Sequence, residues 1–205
     1  TFINVPLTIP YTGKLTVTGE AHIRIDDFEK LRSSIVDKDG KPYKTPRNLA
    51  SGSTRALDPA VCKGRHVSFI PFNVLEGFDE DPAIADSKSA KLSKLAEFGF
   101  GTCDAYVIDS STTEEEIESL IECLQTIAKS CGIPIDGIVA VYDSISFSKS
   151  CGRTGHHYKD GIAFKFEDET YETVLTDIEW TPTRSGEIAP VALFDTVEID
   201  GCDVS

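Results

Sequence analysis

Alternation of apolar and polar residues predicts that strands make up most of this chain. Six segments alternate with a period of two and are rich in β-branched or aromatic residues, as half-buried strands are. They cover residues 14–25, 66–77, 103–111, 134–144, 161–180 and 186–201. Pro71 interrupts the second segment and cannot donate a backbone hydrogen bond, so we expect an edge strand or a β-bulge there.

Helical spacing of apolar residues predicts four helices between these strands. They lie within residues 26–40, 45–59, 86–100 and 111–132. Asp26 or Asp27 would cap the first helix, and Gly40 lies beyond its end. The second helix would begin near Pro46, because proline suits a first helical turn, and would stop before Pro59.

The two later helices carry clearer end signals. Gly99 would end the third helix. Thr113 and Glu116 have the spacing of a capping box at the start of the fourth, and Gly132 follows its last turn. Strands that dominate, with helices in the connections, predict an α+β fold with a largely antiparallel sheet.

One predicted strand raises a question about its lysine. In "GIAFKFEDE", residues 161–169, alternation places Ile162, Phe164 and Phe166 on one face and Ala163 and Lys165 on the other. The phenylalanine face requires a core. The lysine face requires water or a negative partner, and by itself the pattern favours water.

Composition limits the classes of function. The chain has 205 residues, which is enough for one large domain or for one domain and a fragment of another. Its net charge of −14 is opposite in sign to the charge that is usual for a stand-alone DNA-binding domain, so this chain alone should bind DNA weakly. Methionine is absent, and we therefore expect a piece of a longer protein. No apolar run is long enough for a membrane span, and no signal peptide is recognisable.

The six cysteines predict neither a zinc site nor disulfides. No Cys-x-x-Cys pair occurs, so the sequence indicates no structural metal site. Without a secretion signal we expect reduced thiols, most of them small residues of the core.

Four short motifs stand out together: "TGE" at 18–20, "TPRNLASGSTRALDP" at 45–59, "PIDGIVAVYDS" at 134–144 and "GIAFKFEDE" at 161–169. In this order and at this spacing they resemble the NAD-dependent DNA ligases of bacteria. The second is highly specific for the family. The end of the chain, residues 177–205, is similar to the family's passage from the adenylation domain into its oligonucleotide-binding (OB) barrel.

The resemblance implies a fold and a domain division. Residues 1–170 would form part of an adenylation domain of the nucleotidyltransferase fold, with mostly antiparallel sheets and flanking helices. Residues 171–205 would be the first strands of the OB barrel. A monomer in the cytoplasm is expected.

The resemblance also implies a reaction. Such ligases transfer AMP from NAD to a lysine, pass it to a 5′-phosphate at a nick in duplex DNA, and seal the nick, with Mg²⁺ as a second cofactor. Lys165 matches a catalytic lysine that lies against the α-phosphate, which would be its negative partner. Asp136 matches a second catalytic residue, an acid near the metal and the nucleotide. Without the resemblance, Asp136 would be assigned to a turn, because Asp-Gly is a common turn dipeptide.

Further residues match the family's nucleotide contacts. Glu20 corresponds to the carboxylate that holds the ribose hydroxyls, a natural acceptor for two O–H donors. Phe72 corresponds to the aromatic residue that stacks on adenine, although by itself it would be assigned to the core. Arg47 and Arg55 correspond to arginines that contact phosphates of NAD or of the nick, a task that suits the guanidinium fork.

Two departures from the family are informative. Val141 stands where many members have a lysine, so one phosphate contact is missing or is supplied elsewhere. The family's nucleophile lies in Lys-x-Asp-Gly, but residues 38–40 and 159–161 lack the intervening residue, and both read as turns. The chain alone should therefore be inactive. His156 and His157 are expected in an exposed loop without a role.

Two other functions stay open at this point. The chain could belong to a ligase-like module that binds a nucleotide or a partner without catalysis. It could also belong to another covalent nucleotidyltransferase, such as an RNA ligase or a capping enzyme, although the motif at 45–59 argues against this.

Overall fold

The computed structural model describes residues 2–37, 40–155, 158–166, 170–199 and 202–204. The chain divides into two compact units, 1–166 and 167–205. The first unit contains β1 Thr16–His22, α1 Ile25–Leu31, α2 Pro46–Thr54, α3 Ala60–Gly64, β2 Ser68–Glu76, α4 Lys88–Glu97, α5 Glu114–Ser130, β3 Gly137–Val141, α6 Ile145–Ser150 and β4 Gly161–Lys165. The second contains β5 Leu175–Pro182, β6 Ile188–Phe194, β7 Val197–Ile199 and β8 Cys202–Val204.

The strands form antiparallel pairs, β1 with β2, β3 with β4, β5 with β6 and β7 with β8. Helices lie in the connections, so the expected α+β class with antiparallel sheets is confirmed. The finer assignments to a nucleotidyltransferase fold and an OB barrel stay predictions, as does the domain division at residue 170.

A β-bulge interrupts the pairing of β1 with β2, as Pro71 led us to expect. Thr18 pairs with Asn73 and Gly19 pairs with Pro71, so Phe72 has no partner in β1. A side chain at Gly19 would collide with the carbonyl oxygen of Ile70, which explains the glycine.

Two clusters of buried side chains hold the first unit together. Helices α1, α2 and α3 pack on the end of β1 through the buried residues Ile23, Phe28, Leu49, Ala50, Cys62 and Val67. Helix α4 packs on β2, where Leu95 meets Val74 and Phe78. The β1–β2 sheet therefore buries its inner face on both sets of helices.

The phenylalanine face of β4 was expected to cover a core, and within the described residues it does not. Ile162 and Phe164 are both exposed, although they lie on one face as alternation predicts. Hairpin β3–β4 has two strands and no element of the described chain covers this face. The expectation that most cysteines belong to the core is wrong, because among the described thiols Cys62 is buried whereas Cys103, Cys123, Cys131 and Cys151 are at least partly exposed. These five cysteines are free thiols.

Some of the predicted helix ends are confirmed and others are wrong. The capping box of Thr113 and Glu116 is present at the start of α5, and Gly99 follows α4 with a φ of +88°. Neither Asp26 nor Asp27 caps α1, because the helix begins one residue earlier and Arg24 is its N-cap residue. The sequence signals did locate helix α2, which ends at Thr54.

Several elements differ from prediction. Helix α3 follows Pro59 and was not predicted, and the predicted strand 161–180 contains β4 and the start of a separate strand, β5. The segment 103–111 is described in full and contains no strand. Its backbone meets β2 at one hydrogen bond, from the Cys103 N–H to the Pro71 oxygen at 3.2 Å, so it lacks the partner strand that alternation presupposes. Helix α6 was not predicted; it has six residues, and the Ser144 side chain caps it.

The second unit contains the β5–β6 hairpin, whose tight turn is closed by a hydrogen bond from the Thr183 N–H to the Glu187 oxygen at 2.7 Å. Gly186 has a φ of +86°, which glycine adopts without strain. Trp180 and Ile188 are exposed, so this hairpin does not bury a core within the described part of the unit.

We expect the segment 186–201, whose last two residues lie outside the described part of the chain, to be mobile in a dilute monomer or to pair with a neighbouring molecule. Unpaired strand edges remain open to exchange and association. Amide hydrogen exchange measured by mass spectrometry at several protein concentrations checks this. Slow exchange throughout the segment at low concentration would contradict the prediction, and protection that grows with concentration would indicate pairing between molecules.

Candidate functional site

Hairpin β3–β4 brings Asp136 and Lys165 together. Gly137 pairs with Lys165 across the hairpin, and Asp136 immediately precedes Gly137. Lys165 Nζ lies 2.7 Å from Asp136 Oδ2, and the two side chains are 63% and 70% exposed. A side chain at Gly137 would meet the Phe164 carbonyl oxygen and the stem of Lys165, so the Asp-Gly sequence leaves room for this ion pair.

The charges around Asp136 extend to helix α2. The hydrogen bond from Lys165 lowers the pKa of Asp136 below its ordinary value, and this outweighs the opposing effect of partial burial. The positive charge of Arg47 lowers the same pKa further. Arg47 thus acts electrostatically on the carboxyl that Lys165 contacts directly.

Helix α2 positions Arg47 and separates it from Arg55. The Thr45 hydroxyl caps the helix by accepting the Asn48 N–H at 3.2 Å, and Leu49 is fully buried beneath it. Arg47 is exposed in the first turn, and Arg55 is exposed just past the last turn. A nine-residue helix is about 13 Å long, so Arg47 and Arg55 stand near opposite ends of α2.

The outer face of the β1–β2 sheet carries the other two predicted site residues. Glu20 lies in β1 opposite Ile70 and is exposed. Pro71 is fully buried, whereas Phe72 at the bulge is 53% exposed, which places its ring on the outer side with Glu20. An acceptor carboxylate and an accessible aromatic ring thus share one surface.

Alternation correctly places Ala163 and Lys165 on one face of the hairpin, and the pairing adds Val139 and Val141 to it. Val141 pairs with Gly161 and is half-exposed. Lys165 is the charged residue of β3 and β4, both of which are described in full. Within these strands, nothing replaces the lysine that many family members have at position 141.

His22 is a neighbour of the site that sequence reasoning missed. It lies two residues after Glu20 on the same face of β1. Burial lowers its pKa, Glu20 raises it and Arg24 lowers it, with a net decrease, so the ring is neutral at pH 7. The alternation that located Glu20 could have identified His22.

Asp160 was predicted as a turn residue, and it forms a largely buried ion pair instead. Its carboxylate binds the Nζ of Lys88, and both side chains are close to 90% buried. The two residues are far apart in sequence and no local pattern connects them. The other Lys-Asp-Gly segment lies largely outside the described residues, as do His156 and His157.

Within the described residues, no group of three or more histidine, cysteine, aspartate or glutamate side chains could hold a metal ion. No described helix has the length and apolar character needed to cross a bilayer.

Comparison with known proteins identifies the family. The family model for the NAD-dependent DNA ligase adenylation domain matches residues 1–169. The chain belongs to this family. Over its whole length it is 40% identical to a DNA ligase of Lachnoclostridium phytofermentans, 38% identical to one of Ruminiclostridium cellulolyticum and 34% identical to one of Bacillus subtilis. It spans about 30% of the length of each of these relatives.

The family assignment confirms the resemblance found in the sequence and argues against an RNA ligase or a capping enzyme. Membership of the family does not by itself assign a role to each residue. The geometry joins Lys165 and Asp136, places Glu20 and Phe72 on a second surface, and leaves Arg47 and Arg55 at opposite ends of α2.

The contact between Lys165 and Asp136 leads to a prediction about the pKa of Asp136. We expect the carboxyl of Asp136 to titrate below its ordinary value, and Lys165→Ala to raise this pKa towards that value. The pKa of Asp136 is lower in the folded state than in the unfolded state, so the ion pair stabilises the fold when the pH is above the unfolded-state pKa. This contribution disappears as the pH falls through the folded-state pKa of Asp136. Carbon-13 NMR of the carboxyl group measures the shift. Lys159→Ala is the control, and an equal shift in that variant would show that Lys165 has no special effect.

Proposed function

We propose that this chain is part of an enzyme that seals nicks in duplex DNA through a lysyl-AMP and a DNA-adenylate intermediate, with NAD as the AMP donor. The observation that carries the proposal is the Lys165–Asp136 ion pair in a member of this ligase family. The positive charge of Arg47 acts on the same carboxyl, so two cations influence this site although the whole chain has a net charge of −14.

The proposed roles follow from the chemistry of each side chain. Phe72 stacks on adenine and Glu20 accepts hydrogen bonds from the ribose hydroxyls, because both lie on the outer face of the β1–β2 sheet. Lys165 donates to the α-phosphate, and Arg47 and Arg55 bind phosphates of NAD or of the nick. Transfer of AMP develops negative charge on phosphate oxygens, so fixed cations stabilise the transition state.

Asp136 has two proposed roles in this site. In the structure its carboxylate holds the Lys165 ammonium at 2.7 Å, which fixes the direction of a long, otherwise flexible side chain. Because the ammonium has three N–H donors, Lys165 can keep this bond and donate to a phosphate oxygen at the same time. Asp136 thus orients the catalytic lysine and partly neutralises it until the phosphate arrives.

Support for a DNA partner comes from the charge distribution. Residues 44–66 contain five lysine or arginine residues and one acidic residue, Asp58, in a chain that is otherwise strongly acidic. Phosphate neutralisation dominates DNA affinity, so this segment is the part of the chain suited to contact nicked duplex DNA. The acidity of the remainder makes binding by the isolated chain weak.

The remaining proposals concern the fold, the metal ion, the oligomeric state and the cellular location. We assign residues 1–170 to an adenylation domain of the nucleotidyltransferase fold and 171–205 to the start of an OB barrel. Mg²⁺ belongs to the proposed reaction, but no described cluster would hold it without phosphates, so we derive no step through it. A monomer in the cytoplasm completes the proposal.

The test uses the full-length protein, with NAD and a nicked duplex. Intact mass should show the gain of one AMP, and gel electrophoresis should show the sealed strand. ATP in place of NAD should give no adduct. Absence of both the adduct and sealing would overturn the proposal.

One observation favours a second candidate, a ligase-like module that binds a nucleotide or a partner without catalysis. None of the 205 residues forms a Lys-x-Asp-Gly motif. Under this alternative the full-length protein would bind NAD in calorimetry but would gain no AMP. The same mass measurement therefore separates the two candidates.

A further inference from the structure

The sequence Asp-Ser-x-Ser occurs twice, at 86–89 and at 143–146, and each copy starts a helix. Ser87 caps α4 and Ser144 caps α6. Each serine oxygen accepts the backbone N–H three residues further on, at 3.0 and 3.1 Å. The two copies therefore cap their own helices in the same way.

Each copy also caps the helix of the other. Asp143 accepts the Ser89 N–H at 2.7 Å and the Ser87 hydroxyl at 2.7 Å, so it serves the start of α4. Asp86 makes the corresponding bonds at the start of α6, at 2.6 Å to a backbone N–H and 2.7 Å to the cap hydroxyl. We refer to this exchange between residues 86–89 and 143–146 as the reciprocal cap.

The backbone reinforces the exchange. An antiparallel bridge pairs Ser87 with Ser144, and the N–H after each serine donates to the carbonyl oxygen of the other aspartate, at 3.0 and 2.9 Å. The serine hydroxyl and backbone N–H donors lower the pKa of Asp86. At Asp143, burial raises the pKa but the hydrogen bonds outweigh it. Both carboxylates are therefore charged at neutral pH and form strong, charge-assisted hydrogen bonds.

A buried ion pair adds β4 to the same assembly. The Lys88 ammonium in the first turn of α4 binds Asp160, which immediately precedes β4. The Asp160 carbonyl oxygen accepts the Tyr142 N–H at 3.0 Å, just after β3. Both strands of the hairpin are thus attached to α4 at the end opposite Lys165.

Helix α4 connects this attachment to the other half of the candidate site. Leu95 of α4 packs against Val74 of β2, in the strand that also carries Phe72. The reciprocal cap therefore lies between the sheet with Glu20 and Phe72 and the hairpin with Asp136 and Lys165. None of its residues belongs to either surface.

We propose that the reciprocal cap is a positioning device that fixes the lysine-bearing hairpin β3–β4 relative to the nucleotide-stacking sheet β1–β2. This inference rests on the proposed function, because the two surfaces are taken to bind one nucleotide. Asp86 and Asp143 act through the position of Lys165, and errors of about 1 Å in such an arrangement can slow a reaction about a hundredfold.

The test compares Asp143→Ala with Asp109→Ala in the full-length protein. Asp109 is a matched control, because it accepts a Ser111 N–H at 2.8 Å and the Ser111 hydroxyl at 2.6 Å but connects no two elements. We expect Asp143→Ala to slow self-adenylation by NAD about ten- to a hundredfold, while the final amount of AMP per protein stays that of the wild type. Asp109→Ala should adenylate normally, and Asp143→Asn should recover most of the rate.

Two readouts separate positioning from folding and from the proposed function. A lower final amount of AMP with an unchanged rate would mean that Asp143 serves folding alone and would overturn the inference. Amide hydrogen exchange of β3 needs no activity, and we expect Asp143→Ala, but not Asp109→Ala, to lose protection there. If the wild type took no AMP, the proposed function would be wrong. If β3 kept its protection in Asp143→Ala, the positioning role of the reciprocal cap would be wrong, whatever the outcome for AMP.

Discussion

Lys165→Ala in the full-length protein should reduce self-adenylation or nick sealing by about 10²–10³-fold, the usual effect of losing one donor that stabilises charge in the transition state. The ammonium of Lys165 is held by Asp136 at 2.7 Å and is the charge that β4 provides. The fold should remain intact, because the neighbour on the same face is the small Ala163 and the lysine is largely exposed. Single-turnover assays of each step measure the effect, and thermal melting checks the fold.

Lys159→Ala is the matched control. It removes the same charge six residues earlier, in a turn, where a solvated charge contributes little. Lys165→Arg should rescue poorly, since a planar guanidinium does not replace a point charge on a flexible stem. Near-normal adenylation and sealing by Lys165→Ala would make Lys165 a solvent-facing lysine and would remove the basis for placing the nucleotide on this hairpin.

The 205-residue chain by itself should form no covalent AMP adduct when incubated with NAD and magnesium. In the proposed reaction the AMP is accepted by a lysine that the family resemblance places in Lys-x-Asp-Gly, and neither Lys-Asp-Gly segment of this chain has the intervening residue. A strand that is one residue shorter presents its lysine on the opposite face. Asp160 in the second segment is, moreover, committed to its ion pair with Lys88. Intact mass spectrometry measures the outcome.

The full-length protein under the same conditions is the positive control for this experiment. A gain of one AMP by the 205-residue chain would reveal an unrecognised nucleophile, and peptide mapping would locate it. Lys165→Ala in the same chain would then show whether the late lysine itself had reacted.

Features set by neighbouring residues could be predicted from the sequence. The capping box of α5 depends on Thr113 and Glu116 alone, and both form it. The bulge in β2 follows from Pro71, which cannot complete the ladder. The family motifs located Lys165 and Asp136, and the structure joins them although 29 positions separate them.

Features set by distant residues could not be predicted. Helix α1 begins at Ile25 because the N–H of that residue donates to the Gly132 oxygen at 2.9 Å, a partner that no local pattern reveals. The segment 103–111 has the alternation of a strand but no partner beside it. Asp160 resembles a turn residue until Lys88, 72 positions away, is brought to it.

The bulge at Phe72 has a consequence for how this surface can change over evolution. Phe72 has no partner in β1, so its side chain takes no part in the pairing of the two strands. Inward-facing Pro71 and Val74 on either side hold the sheet to its core. Position 72 can therefore accept a different ring, or a smaller side chain, without a shift in register. Under the proposed stacking of Phe72 on adenine, a change at this position would alter nucleobase preference while the scaffold stays unchanged.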